Sequence, residues 1–360
     1  MNVFQRRRAQ LWQALRDEPV DAVWVTSPVA RRYFSGFTGS AGYLLLTPDQ
    51  GWLVTDFRYL EQAQTEAPDL TVMRQQRAVL RQWADWLPGS PPYHVGFEAE
   101  HVTVAQWRPL EDPDFRWHPV DDALANVRMV KSADEIEAIR KACQIAGQAL
   151  GRVMPLILPG ISERDIARRL WQEMLTGGAD GLAFDLIVAS GERGALPHGH
   201  PTDRRLKAGD MVTIDFGAVW AGYHSDETVT WAIGSTGPDR ERQRTIYDIV
   251  LMAQKQAIDA VRPGVSFDHI DQIARSVIEA HGYGAYFGHG VGHGVGLAVH
   301  EAPWINRGRP TCLEPGMVIT VEPGIYLPQW GGVRLEDTLA VTETGAERLT
   351  WFEKTWTELG

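Results

Sequence analysis

Residues 287–301 read FGHGVGHGVGLAVHE and set three histidines, His289, His293 and His300, among five glycines. His289 and His293 lie four apart, a spacing that on a helix would give two metal ligands on one face. The interspersed glycines, each costing about 1 kcal/mol in a helix interior, exclude that helix. His300-Glu301 is followed by Ala302-Pro303-Trp304 with no second histidine, so the HExxH pattern is absent. The glycines alternate at 288, 290, 292, 294 and 296, and no helical pattern follows them, so a G-x-G-x-x-G dinucleotide loop is not expected. A glycine-rich loop with incidental histidines remains, and the rest of the chain must decide its use. In an extended chain, positions of even spacing share a side, which joins His289 to His293. His300, at odd spacing, needs a bulge or turn to rejoin them.

Two acidic hairpins lie on either side of this segment. In VTIDFGAVWAGYHSDETVT, residues 212–230, a two-residue turn at Trp220-Ala221 would set Asp215 opposite Asp226. Glu322 and Glu336 flank a loop around Gln329 and would also face each other. Each such pair costs about 4 kcal/mol at about 4 Å and an effective dielectric near 20. The neighbours of Asp215 and Glu322 are apolar, and a buried carboxylate needs a partner. Divalent cations meet that need. One imidazole nitrogen with several carboxylate oxygens is a hard donor set, suited to manganese rather than to a thiolate zinc site. Two cations about 3.5–4 Å apart can acidify a shared water and polarise a carbonyl, which is the chemistry of amide hydrolysis.

The first third of the chain alternates strand and helix, which predicts a small α/β domain over residues 1–125. Its readings include strands in DAVWVTS, LTVMR and YHVGFEAE, helices in RRRAQLWQAL, RYLEQAQTEA and VLRQWADWL, and a hairpin turning at Pro48-Asp49-Gln50-Gly51. Residues 126–360 carry long amphipathic helices at 133–156, 162–175, 239–261 and 267–281, with antiparallel strands between and after them. That pattern predicts an α+β domain with helices on one face of a curved sheet. Ser132, three residues before Glu135, is a capping box that opens the first long helix. Trp83, Trp86, Trp107 and Trp171 are expected to pack internally.

The formal net charge of −11 argues against nucleic acid or an anionic membrane as the main partner. No apolar run reaches the roughly 18 residues of a membrane span, and the basic N-terminal segment has no apolar stretch behind it to read as a secretory signal. Two cysteines, Cys143 and Cys312, fit a reducing cytoplasm, with Cys143 in the core.

IDFGA, GYHSDET, GHGVGHGVGLAVHE, VEPGIY and GVRLEDT occur in the order and spacing of the pita-bread metallopeptidases, the methionine aminopeptidase, aminopeptidase P and prolidase group. The resemblance spans residues 130–350. It implies a creatinase-like N-terminal domain, a pita-bread catalytic domain and a homodimer. It also implies two divalent metals, manganese first and zinc or cobalt otherwise. Carried over by motif position, Asp215, Asp226, His293, Glu322 and Glu336 are the expected ligands, with Asp226 and Glu336 bridging. Glu322 is the expected general base. His198 in ALPHGHPTD, His289, His300 and Arg334 are expected to contact substrate or the metal carboxylates, and His200 to lie on the surface. One departure is Val229, where the family usually has arginine, read as a charge lost near the site entrance.

The N-terminal domain argues against a methionine aminopeptidase, and the intact ligands argue against creatinase and against a binding module without catalysis. YFSGFTGSAG and VTDFRYLEQA resemble the N-terminal domain of aminopeptidase P. The expectation is therefore a cytoplasmic Xaa-Pro aminopeptidase acting on peptides with proline second, with Xaa-Pro dipeptidase as the alternative. Arg58 or Tyr59 is expected to help wall the cleft.

Overall fold

The computed structural model describes residues 1–76, 79–235, 237 and 239–360, and the chain divides into two compact units, Met1–Arg128 and Met129–Gly360. The expected boundary at 125/126 falls inside the helix Asp121–Met129.

The first unit holds a six-stranded mixed sheet. In spatial order its strands are Thr71–Arg74, Gly51–Thr55, Tyr43–Leu46, Ala22–Val25, Tyr93–Phe97 and Phe115–Pro119. The hairpin between Tyr43–Leu46 and Gly51–Thr55 pairs Leu46 with Gly51, so its loop is 47–50, one residue earlier than the sequence suggested. Aromatic rings fill one side of this sheet. Trp83 is fully buried and donates to the Tyr43 hydroxyl at 3.1 Å. Trp86 stacks on Trp52 with ring centroids 5.3 Å apart, and Trp107 lies 4.9 Å from Phe97. Arg58 forms a bidentate pair with Asp56, and the Tyr59 hydroxyl meets Ser40.

The second unit is built from two similar halves. Helices Ala133–Val153 and Glu163–Thr176 pack on a sheet containing Ile187–Ser190, Met211–Phe216 and Glu227–Ile233. Helices Arg240–Ala260 and Phe267–Ala280 pack against the strands Val318–Val321 and Asp337–Val341 of a second sheet. The Ser132 side chain caps Glu135 N and the Glu135 side chain returns to Ser132 N, as the capping-box spacing predicts. Cys143 is buried in the first of these helices. Trp171 is 49% exposed on the solvent side of Glu163–Thr176, against the packing expected of it. Its helix buries Ile166, Leu170 and Met174, and Trp171 stands off that stripe.

Candidate metal centre

On Met211–Phe216, the residues Val212, Ile214 and Phe216 join the helix-side core, so by strand alternation Thr213 and Asp215 face the other way. The partner strand pairs Thr228, not Asp226, with Asp215, and Trp220 with Tyr223. The turn is thus Ala221-Gly222, with φ of 50° and 79°. A two-residue hairpin of this twist needs positive φ at both central positions, which Gly222 accepts and Trp220 would resist. The slip from the expected register is two residues, so Asp226 keeps the parity that turns it towards the same side as Asp215. In the second half, Val321 pairs with Asp337 and Gly324 with Arg334, a common register that sets Glu322 against Glu336.

The glycine-rich segment supplies the strand Gly292–Gly294, clamped between Glu301–Ile305 and Val318–Val321. A Cβ on Gly292 would lie 2.0 Å from the Thr320 carbonyl oxygen, and one on Gly294 2.3 Å from that of Ala302. A register shift between His293 and Gly294, followed by a turn, returns His300 to His293 with ring centroids 4.4 Å apart. Glu301 secures that turn. It accepts from Ala298 N at 3.2 Å and pairs with the buried Lys131 at 3.1 Å.

Donor atoms of Asp215, Asp226 and Glu336 lie within 4.8 Å of one another, as do those of His293, Glu322 and Glu336, and of Asp226, His293 and His300. All five expected ligands are therefore brought together, and His300 joins one of the groups. His293 Nε2 stands 3.4 Å from Glu322 Oε1 and 3.7 Å from Asp226 Oδ2. Its Nδ1 faces the Gly294 carbonyl at 3.1 Å. A carbonyl only accepts, so Nδ1 carries the proton and Nε2 presents its lone pair to the carboxylates.

Arg334 is 4% exposed. Its guanidinium donates to Asp215 Oδ2 at 2.7 Å, to the Tyr326 hydroxyl and the Pro197 carbonyl, each at 3.1 Å, and to Thr228 Oγ1 at 3.3 Å. Tyr326 in turn meets His289 Nε2 at 3.0 Å. His289 Nδ1 faces the Gly290 carbonyl at 2.8 Å and so holds the ring proton, leaving Nε2 to accept from the tyrosine.

Burial, with repulsion from Glu336, Asp215 and Glu322, raises Asp226 well above the usual carboxylate range. Burial and the neighbouring acids do the same to Glu336, and burial lifts Glu322 to about 8. Burial holds His293 and His289 down at about 4, and also lowers His300. Among the described residues the four acids share one guanidinium, and Asp215 Oδ1 is buried with no hydrogen-bond partner. Hard divalent cations fit this donor set: they would satisfy the orphaned oxygen and offset the surplus negative charge.

The cluster lies in a cavity of about 840 Å³. His198, His200, His289, His300 and Arg334 all line it. His200, expected to be an uninvolved surface residue, is exposed but on this cavity wall. Val229 is buried in the helix-side core, pairing with Ile214, so its replacement of the usual arginine leaves the cavity untouched. Sequence reasoning gave no role to Tyr326, Thr228 or Trp304. Tyr326 lay inside the quoted VEPGIY motif. Thr228 lay one strand alternation from Asp226, a signal that could have placed its hydroxyl, which donates to Glu336 Oε2 at 2.7 Å.

The profile of metallopeptidase family M24 matches residues 137–343, and that of the creatinase/prolidase N-terminal domain matches residues 7–130. The chain is 39% identical over 352 residues to the Xaa-Pro dipeptidase of Pyrococcus furiosus, covering 98% of this chain and 99% of the relative. It resembles the solved Xaa-Pro dipeptidase from Bacillus anthracis with a TM-score of 0.93 at 36% identity, over 99% of this chain and 100% of that one. For the X-Pro aminopeptidase from Thermotoga maritima the TM-score is 0.88 at 36% identity, over 98% and 99%. The expected fold class, a creatinase-like α/β domain followed by an α+β pita-bread domain, is borne out. The chain belongs to metallopeptidase family M24, with the two-domain layout of its prolidase and aminopeptidase P branch.

Proposed function

We propose that this protein hydrolyses the amide bond before proline, with Xaa-Pro dipeptides as its preferred substrates. The observation that carries the hydrolytic reading is the convergence of Asp215, Asp226, His293, Glu322 and Glu336 on one cavity around an unpartnered Asp215 oxygen. The choice of dipeptides rests on relatives named Xaa-Pro dipeptidase that match this chain almost end to end. They favour that reading over the aminopeptidase expected from the sequence.

In this proposal the five residues hold two divalent cations, manganese first, with zinc or cobalt as substitutes. Bound there, the cations would supply Lewis acidity to the scissile carbonyl and acidify water. Glu322 takes the proton of the attacking water as the new C–O bond forms. It returns a proton to the proline nitrogen as the C–N bond breaks. That nitrogen is in a ring and carries no amide hydrogen, so it leaves as an amine only if protonated. His198, His289 and His300 contact the substrate from the cavity wall, and Arg334 fixes Asp215 and orients Tyr326. The protein is a cytoplasmic homodimer in the same proposal. Its two free cysteines, one buried and one exposed, support a reducing compartment.

A second reading, Xaa-Pro aminopeptidase, is favoured by one feature of the cavity. Among the described residues that line it, Arg334 is the only lysine or arginine, and four of its five N–H donors are already engaged. The free carboxylate of a dipeptide lacks a free lysine or arginine there, whereas a longer peptide presents a neutral amide.

The test compares Ala-Pro with Ala-Pro-Ala-Lys, using manganese-loaded and chelator-stripped protein. Faster cleavage of Ala-Pro supports the dipeptidase. Release of alanine alone from the longer peptide, at the higher rate, supports the aminopeptidase. Loss of a factor of about 10²–10⁴ in kcat in Glu322→Gln is expected of a proton-transfer group. Hydrolysis of neither peptide by the loaded protein would overturn the proposal.

A further inference from the structure

Behind the metal cluster lies a second buried set of charges that the hydrolytic reading does not use. Asp226 and Glu336 line the cavity, but Glu227 and Asp337 do not. Successive residues of a strand point to opposite faces, so Asp226 and Glu336 each have an acid directly behind them. Glu227 and Asp337 are each 2% exposed. They open the strands Glu227–Ile233 and Asp337–Val341, which belong to different sheets.

One ammonium spans the two. Lys354, 3% exposed, lies 2.5 Å from Glu227 Oε1 and 3.1 Å from Asp337 Oδ1. The segment that carries it is bound at several further points. Trp351 N and Phe352 N donate to Glu227 at 3.3 and 2.9 Å, and Thr350 Oγ1 donates to Asp337 at 2.5 Å. On the cavity side the same strands are cross-stitched: Thr228 Oγ1 donates to Glu336, and Thr338 Oγ1 donates to the Asp226 carbonyl, both at 2.7 Å. The separation of Asp226 from Glu336 is thus held from the front by two threonines and from the rear by Lys354.

We infer that Lys354 is a positioning residue for the metal centre, fixing from behind the two strands that present Asp226 and Glu336. The inference rests on the metal reading proposed above. Residues that orient ligands without touching the metal commonly contribute about 10–100-fold to its affinity. By thermodynamic reciprocity, metal binding must tighten the 350–357 segment by the same factor that the segment tightens metal binding.

The double variant Lys354→Met/Glu227→Gln isolates position from charge, because it removes one positive and one negative group and leaves the net charge behind the site unchanged. Manganese affinity is measured by calorimetry on chelator-stripped protein, at a temperature where circular dichroism shows the variant folded. A fall of about tenfold or more is expected. A folded variant with wild-type affinity overturns the inference. The second measurement needs no variant: amide hydrogen exchange of the unmodified protein, with and without manganese. Slower exchange at Trp351 and Phe352 on loading is expected. If manganese protects the strand Gly292–Gly294 while Trp351 and Phe352 exchange as before, the inference is overturned with the metal reading intact. If unmodified protein binds no manganese, zinc or cobalt, the metal reading falls and takes the inference with it.

Discussion

Arg334 donates to Asp215 Oδ2 at 2.7 Å, while the other oxygen of the same carboxylate, Oδ1, is buried with no partner among the described residues. One half of Asp215 is thereby fixed by the protein, and the other half faces the donors of Asp226 and Glu336. The guanidinium sets the direction of the carboxylate and offsets part of the charge of four clustered acids.

Arg334→Met is expected to lower the unfolding free energy of the metal-free protein by about 3 kcal/mol, because it strands a buried charge. Urea denaturation in the presence of a chelator measures this. Manganese should recover part of the loss, since a cation substitutes for the missing charge. Arg334→Lys should fail to restore activity, because an ammonium cannot reproduce the planar fork that reaches Asp215, Tyr326 and Pro197 together. A metal-free Arg334→Met protein as stable as the wild type would show that the acids are not compensated through this residue.

Gly294→Ala tests why the histidine segment alternates with glycine. Its Cβ would lie 2.3 Å from the Ala302 carbonyl oxygen, and backbone cannot yield as a flexible side chain can. The strand beside His293 must move, at a cost of about 1–3 kcal/mol. The expected result is a lower melting temperature together with loss of bound manganese, read by elemental analysis. Gly288→Ala is the control: nothing lies within 4 Å of its Cβ, and it should bind metal as the wild type does.

Much of this centre is legible in the sequence because its determinants are local. The five candidate carboxylate and histidine ligands sit in short motifs whose strand parity can be read directly, and parity survived even where register did not. The Asp215 hairpin slipped by two residues, from Asp226 to Thr228, because its turn needed positive φ at two positions and Gly222 lay one residue later than the turn assumed. An odd slip would have turned the acids away from each other. Lys354 was illegible for the opposite reason. It lies 127 residues from Glu227 in the chain, and no periodicity links the two. The placing of Val229 in the helix-side core followed from the same alternation that puts Thr228 on the face of Asp215, yet its neighbourhood could not be assigned without the paired strand. Trp171 shows the limit of spacing arguments, since an apolar residue beside a helix's buried stripe can remain in solvent.

The first unit carries a pH dependence of its own. His118 and His94 stack with ring centroids 5.1 Å apart, and His94 Nδ1 meets His118 Nε2 at 2.9 Å. Burial lowers the pKa of His118 and the His94 charge adds to this, against the opposing pull of Glu18 and Asp21. The folded unit therefore binds this proton less readily than the unfolded chain does. As pH falls through the ordinary histidine value of 6.5, the unfolded state is protonated first and stability is lost. Above that value His118 adds no slope. Urea midpoints at pH 7.5 and 5.5, followed by tryptophan fluorescence, should fall further in the wild type than in His118→Asn. Equal falls would remove His118 as the cause.

Trp304 gives the most direct handle on substrate length. It pairs with His293 across the sheet, its ring centroid is 6.4 Å from that histidine, and it lines the cavity while 43% exposed. An arginine there would add a cation to a wall whose one described guanidinium is engaged. A dipeptide ends in a carboxylate and should gain from that cation, whereas a longer peptide presents an amide at the same point and should gain little. Trp304→Arg is therefore expected to raise kcat/KM for Ala-Pro by about tenfold relative to Ala-Pro-Ala-Lys, the worth of about 1.4 kcal/mol. Steady-state kinetics with both peptides measures the ratio. If the ratio moves as expected, the carboxylate of the dipeptide reaches this wall, and the unmodified tryptophan discriminates against it. If both rates fall together, the indole packs against the substrate regardless of length. An unchanged ratio places the carboxylate elsewhere and removes the cation-poor wall as an argument for the aminopeptidase.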